Sequence, residues 1–139
     1  MTVHILKARI DETLATAPRQ GKNLVEPLKT LAAQTGFPLK VLEDVAVSNE
    51  AEIHKTEGDL WQCLEGEVSF VCGGELVEPW FAKRADGSDN PNELKAREIR
   101  GGTAYVLRPG DWLWIPAGEP HLHSCAGTAR LLIVKIPQR

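Results

Sequence analysis

The stretch Glu52-Ile-His54-Lys-Thr-Glu57-Gly58-Asp59, together with Pro116-Ala-Gly118-Glu-Pro-His121, decides how this chain is read. Side chains of a strand point alternately to opposite faces, so Glu52 and His54 share one face, and Asp59 opens the next strand after a turn at Glu57-Gly58. A carboxylate, an imidazole and a second carboxylate are thereby directed to one region. His121 arrives from far along the chain, as the ligands of a metal site in a folded domain commonly do. Two imidazoles and one carboxylate on one side of an ion leave other positions for water, substrate or oxygen.

The same residues carry a family resemblance. Glu52-x-His54-x-x-x-x-Asp59-x-x-x-x-x-x-Gly66 resembles the first cupin motif, with Glu52 where the first of two histidines usually stands and Asp59 in place of the usual glutamate. Gly110, then Pro116-x-Gly118-x-x-His121, resembles the second motif up to its histidine; the asparagine that often closes that motif is Cys125 here. The two motifs stand in the right order, and the resemblance spans residues 38 to 136. It implies an all-β double-stranded β-helix, a small jelly-roll barrel with a metal inside.

Composition agrees with one globular unit. The 139 residues are 42% hydrophobic and 25% charged, enough for a sizeable core and too few for a second domain. A formal charge of −3 with scattered Lys and Arg forms no basic stripe, so nucleic acid is not an expected partner. No apolar run reaches transmembrane length and the N-terminus lacks a signal-peptide pattern, so a cytoplasmic protein away from membranes is expected. Cys63, Cys72 and Cys125 form no Cys-x-x-Cys pair and are odd in number, which argues for reduced, buried thiols.

Along the chain, Thr2 to Ile10 reads as an edge strand or extended arm, and Asp11 caps a helical turn ending before Pro18. A helix follows with Leu24, Leu28, Leu31 and Ala32 on one face and Gly36 as its stop; its start is ambiguous between an Asn23/Glu26 capping box and Pro27 at the first helical position. Residues 1–37 thus form an arm and helix packed outside the barrel as part of the same unit, and 38–139 the barrel itself. From Pro38 the period becomes two. Strands are expected over Leu39–Val47, Ala51–Lys55, Asp59–Cys72 (two, across Glu65-Gly66), Glu75–Lys83, Glu98–Arg100, Thr103–Leu107, Trp112–Ile115 and Ala129–Ile136. The polar run from Ala85 to Asn92 reads as a loop, either a lid or solvated surface. Trp112-Leu-Trp-Ile115 is apolar on both faces and should be covered on both, by the interior and by a helix or a second subunit; a homodimer is the expected assembly.

For the chemistry, His54, Asp59, His121 and Glu52 form the candidate metal set. Imidazole suits Fe, Zn, Ni, Mn or Cu, and adding carboxylates makes the site harder, favouring Fe(II), Mn or Ni without excluding Zn. Asp59 is one methylene shorter than the usual glutamate and reaches an ion directly only if its strand lies close, or else acts through water. Glu52 is a fourth ligand, a general base, or a solvated charge at a strand end. Parity puts Trp61 and Cys63 on the face of Asp59, and His123 and Cys125 on that of His121. Trp61, Cys63 and Cys125 are therefore candidate pocket residues, with core packing as the plainer explanation, and His123 is a candidate proton carrier beside the metal or an exposed strand residue.

Three classes of function follow. The first is a metal-dependent enzyme on a small organic substrate, most specifically an Fe(II)-dependent dioxygenase. The second is a barrel that binds or senses a metal or small molecule without turnover. The third is a metal-free isomerase or epimerase, or a purely structural barrel, which the two substitutions in the first motif keep open.

Overall fold

The period-two pattern from Leu39 onward becomes an antiparallel β-structure in the computed structural model, which describes residues 1–138. In chain order the elements are α1 (Lys7–Leu14), β1 (Gly21–Leu24), α2 (Leu28–Thr35), β2 (Leu39–Ser48), β3 (Ala51–His54), β4 (Glu57–Glu65) and β5 (Val68–Cys72). Then come β6 (Glu75–Leu76), β7 (Trp80–Lys83), β8 (Asp89–Ala96), β9 (Ile99–Arg100), β10 (Thr103–Leu107), β11 (Trp112–Ile115) and β12 (His121–Pro137). Among the described residues no helix is long and apolar enough to cross a membrane.

Strand β12 organises the rest by belonging to two layers. Its first part, from His121 to Ser124, pairs with β3 through Glu52 and with β5; β8 and β7 extend that layer beyond β3, and β10 extends it beyond β5. Its later part, from Thr128 to Pro137, runs between β2 and β4, with β1 outside β2 and β11 outside β4. The register shifts between Cys125 and Thr128, opposite Ala46 at φ 52°, and this bulge turns the strand from one layer to the other. The result is a jelly roll. It differs from the closed barrel expected, because β1, β7, β10 and β11 each pair on one side only.

Leu42, Trp61, Phe70, Leu107, Ile115, Leu131 and Ile133 fill the space between the layers. On the outer face of β2 and β12, Val41 and Leu132 meet Val25 and Leu28, with Ile5, Ile10 and Leu31 against them. Helices α1 and α2 therefore pack outside, as expected, whereas β1 between them joins the sheet beside β2, and Gly36 at φ 69° ends α2 with its N–H on the Ala32 carbonyl. A buried ion pair fixes the course of the N-terminal segment. Arg130 donates from Nε to Glu43 Oε2 at 2.8 Å and from Nη1 to the Leu14 carbonyl at 2.8 Å, while Nη2 reaches the Thr16 carbonyl. Glu43 Oε1 accepts the Arg19 N–H at 2.8 Å, so the link from α1 to β1 is held at both ends.

Several local expectations are corrected. Lys7 starts a helix where an extended arm was expected, supported by Lys7–Asp11 and Arg9–Glu12 pairs one turn apart. Asn23 and Leu24 lie in a strand, paired with Glu43 and Leu42, rather than at the start of the helix. Only the tip of the 85–92 segment is a turn: Asp86 accepts from the Ser88 N–H and hydroxyl, and a Lys83–Asp89 ion pair closes a β7–β8 hairpin. The final strand starts at His121, not Ala129, because the bulge lets it bend instead of stopping. Strand β11 is covered on one face only: Ile115 is buried, whereas Trp112 and Trp114 remain 57% and 43% exposed.

Candidate metal centre

Three strands bring the site together. Register pairs His121 of β12 with Glu52 of β3, and β4 enters from the other layer with Asp59 beside Lys135 of β12. Glu52 Oε1 lies 3.6 Å from both His54 Nε2 and His121 Nε2. Asp59 Oδ2 lies 3.8 Å and 3.6 Å from the same two nitrogens. Donors bonded to one ion at about 2.0–2.2 Å can stand no more than about 4.4 Å apart, so each of these separations can be bridged by a single ion. Glu52, His54 and His121 form a trio whose donor atoms all fall within 4.8 Å of one another.

The surroundings aim these groups at one point. His121 Nδ1 lies 3.0 Å from the Glu119 carbonyl and donates to it, which leaves the Nε2 lone pair facing the centre. His54 Nδ1 faces Glu93 Oε1 at 3.4 Å. His121 Nε2 and Asp59 Oδ2 are buried with no hydrogen-bond partner, although buried polar atoms are rarely left so. Unpartnered nitrogen and oxygen donors facing each other are what a divalent ion would satisfy, so the residues present fit one. Burial opposes the charge on Glu52, but its contacts to His121 and His54 outweigh this and hold the carboxyl well below the ordinary carboxylate range. Burial likewise opposes charge on His54, and Lys135 adds to that opposition; Glu52 and Asp59 prevail, and the imidazole is shifted upward.

One participant was missed from the sequence. Lys135 Nζ lies 2.7 Å from Asp59 Oδ1 and 3.0 Å from His54 Nε2. Its signal was parity: Ala129, Leu131 and Ile133 all enter the core, and Lys135 continues that inward row.

The other expected site residues separate into two groups. Trp61 lines a cavity of about 420 Å³ that also touches Glu52, His54 and Lys135. Cys63 and Cys125 are not in that lining. Both are buried in the core, with Cys63 Sγ turned to the Glu65 and Gly66 carbonyls and Cys125 Sγ to the Glu67 carbonyl, so the pocket role expected for them is replaced by packing at the Glu65-Gly66 turn. His123 is buried as well, against the exposed alternative. Its Nε2 lies 2.7 Å from Asp44 Oδ2, and its ring packs against Trp61 and Phe70 at centroid distances of 5.6 and 5.2 Å.

Comparison with solved structures assigns the fold. Oxalate oxidase aligns over 90% of this chain with a TM-score of 0.52 and 16% identity, and hydroquinone 1,2-dioxygenase from Sphingomonas sp. TTNP3 with 4-hydroxybenzoate bound aligns over 91% with a TM-score of 0.51 and 14% identity. E. coli ycfD aligns over 85% with a TM-score of 0.58 and 19% identity. All three are cupin-fold proteins, and this chain shares their fold. It spans 57%, 70% and 34% of those chains respectively. No family model matches the sequence, and no curated protein matches it.

Proposed function

We propose that this protein is a divalent-metal-dependent enzyme acting on a small organic substrate, with an Fe(II)-dependent dioxygenase as its most specific form. The observation that carries the proposal is the trio of Glu52, His54 and His121 donors within 4.8 Å of one another, with Asp59 Oδ2 close to both imidazoles, the His121 Nε2 and Asp59 Oδ2 atoms buried without partners, and Glu52 and His54 lining a cavity. Similarity in fold to an oxalate oxidase and a hydroquinone dioxygenase is consistent with it. Glu52, His54 and His121 would hold the ion, with Asp59 as a fourth ligand once Lys135 releases it. A bound transition metal supplies Lewis acidity and, for iron, a redox partner for dioxygen. This chain's own residues orient and enclose: Trp61 forms an apolar wall, and the Glu119 carbonyl fixes the tautomer of His121.

A second reading has its own observation. The Lys135 ammonium already neutralises Asp59 and engages His54, which suits a barrel of the metal-free isomerase or epimerase class. Metal content of the untagged protein by elemental mass spectrometry, beside a His54→Ala, His121→Ala double variant, separates the two. Near-stoichiometric metal lost in the variant, followed by oxygen uptake with Fe(II) and diketone or catechol-type chelators, supports the first. Protein that takes up none of Fe(II), Mn(II), Ni(II) or Zn(II) overturns it; metal held without turnover of any substrate leaves a binding module.

The assembly proposed is a homodimer, because the described residues leave Trp112 and Trp114 largely open to solvent on neighbouring positions of one edge strand. Light scattering coupled to size exclusion tests it, with a monomeric mass as the contrary result. A cytoplasmic location is proposed on the sequence alone.

A further inference from the structure

The cavity beside the metal centre has a charge pattern of its own. Adjacent strands β1, β2 and β12 each direct one lysine and one aliphatic side chain, two residues apart, into it: Lys22 with Leu24, Lys40 with Leu42, and Lys135 with Ile133. Pro38 and Trp61 complete the apolar wall, and Glu52 is the one carboxylate in the lining. Lys135 is paired with Asp59. Among the described residues, no carboxylate oxygen lies within 4.0 Å of the Lys22 or Lys40 ammonium. This concentration of cations belongs to a chain whose formal charge is −3. A divalent ion balanced by Glu52 and Asp59 would leave three ammonium groups in the lining without a counter-charge.

We infer that the cavity selects an organic acid: a small molecule whose apolar body lies against Leu24, Leu42, Trp61 and Ile133 and whose carboxylate is neutralised by Lys22 and Lys40. The inference rests on the proposed metal centre only for what happens at the inner end. Its volume of about 420 Å³ is in the range of small-ligand pockets. An ammonium on a flexible stem suits a carboxylate that must enter and leave, and excess cation in a low-dielectric recess raises the local concentration of anions. Selectivity then comes from the N-terminal segment, since Lys22 and Leu24 lie on β1, which pairs with β2 and follows a link anchored to Arg130 and Glu43.

The test uses isothermal titration of the full chain, stripped of metal and reloaded, with hexanoate, octanoate, benzoate and 3-phenylpropanoate, each beside its neutral amide. Acids are expected to bind about tenfold more tightly than the matched amides, about one factor of ten for the partly exposed charge contacts. A Lys22→Gln, Lys40→Gln variant, with its melting temperature as a folding control, is expected to bring that ratio close to one. Amides binding as well as acids, a preference that survives in the variant, or no binding by any acid of the series each overturns the inference. The His54→Ala, His121→Ala variant keeps the two proposals apart: a lysine-dependent acid preference in a protein that never binds metal sinks only the metal reading. Stoichiometric metal without acid preference sinks only this one.

Discussion

Lys135 Nζ stands 3.0 Å from His54 Nε2, the nitrogen that a metal would claim. The ammonium and the ion are therefore competitors for one lone pair and for Asp59. Replacing the lysine by methionine keeps the aliphatic stem and removes the competitor. Lys135→Met is expected to bind a divalent metal about tenfold more tightly or better, since a positive charge a few ångströms away is lost. The metal-free variant should be less stable by about 1–3 kcal/mol, because buried Asp59 loses its charged hydrogen bond. Calorimetric metal titration and thermal melts with and without metal read the two opposite effects; unchanged metal affinity would refute the competition.

Proton release should accompany metal uptake. Burial opposes charge on His54, but Glu52 and Asp59 shift it upward, so an ion competes with a proton for this imidazole up to a higher pH than it would at an ordinary histidine. The sign follows: stability from this protonated imidazole is full below the unfolded histidine pKa and is lost as pH rises through the raised folded value. Metal affinity accordingly climbs with pH across the same interval. Titrations in buffers of different ionisation enthalpy would show this as a proton count that falls towards zero at alkaline pH.

The two carboxylates should contribute unequally. Asp59 shares its charge with Lys135, whereas Glu52 faces only the imidazoles among the described residues. Glu52→Gln is expected to weaken metal binding at least about tenfold and by more than Asp59→Asn does, within the range typical of disturbed metal ligation. The reverse order in a competition assay with a chromophoric chelator would assign Asp59 as the principal carboxylate.

Arg130 and Glu43 are each about 2% exposed at the side chain, so removing one strands the other. Arg130→Met is expected to cost about 3–5 kcal/mol, the usual penalty for breaking a buried pair from one side. Denaturant unfolding measures the loss. The double replacement with Glu43→Leu should recover much of it, and an equal loss in both would show that the pair itself is not the cause.

Thiol chemistry offers a separate check on the core. Burial, then the charge of Glu119, pushes Cys72 up to about 11, and burial raises Cys63 and Cys125 as well. At pH 8 the folded protein should react with Ellman's reagent far more slowly than the unfolded chain, at all three positions. Rapid labelling of Cys63 or Cys125 would mean that they reach the cavity after all.

The paired motifs made His54 and His121 legible because strand parity and order in the chain are local properties, and they survive into the structure. Leu24 was assigned to a helix because it shares an apolar face with Leu28, Leu31 and Ala32 at helical spacing, and only the pairing with Leu42 explains why it became a strand. Glu43, Asp44 and Arg130 gave no such signal. Arg130 meets Glu43 across 87 residues, and the neighbouring Asp44 turns the opposite way to meet His123, so two adjacent acids are buried on opposite faces of one strand. Trp112 and Trp114 were read as covered because their strand is apolar throughout. The indole of Trp114 lies across Gly58 at an edge, where a methyl group on Gly58 would collide with it at 2.3 Å.

The Arg130 clamp changes where this protein could be cut. A piece starting at Pro38 would keep both histidine motifs, yet it would expose a guanidinium whose partners include the Leu14 and Thr16 carbonyls, and it would remove one side of the cavity with Lys22 and Leu24. What looks from the motifs like a self-sufficient barrel with an appendage is, in the geometry of its last strand, a vessel whose wall begins at β1, well ahead of Glu52 in the chain: grafts, truncations and circular permutants need to carry the segment from α1 through β1 along with it.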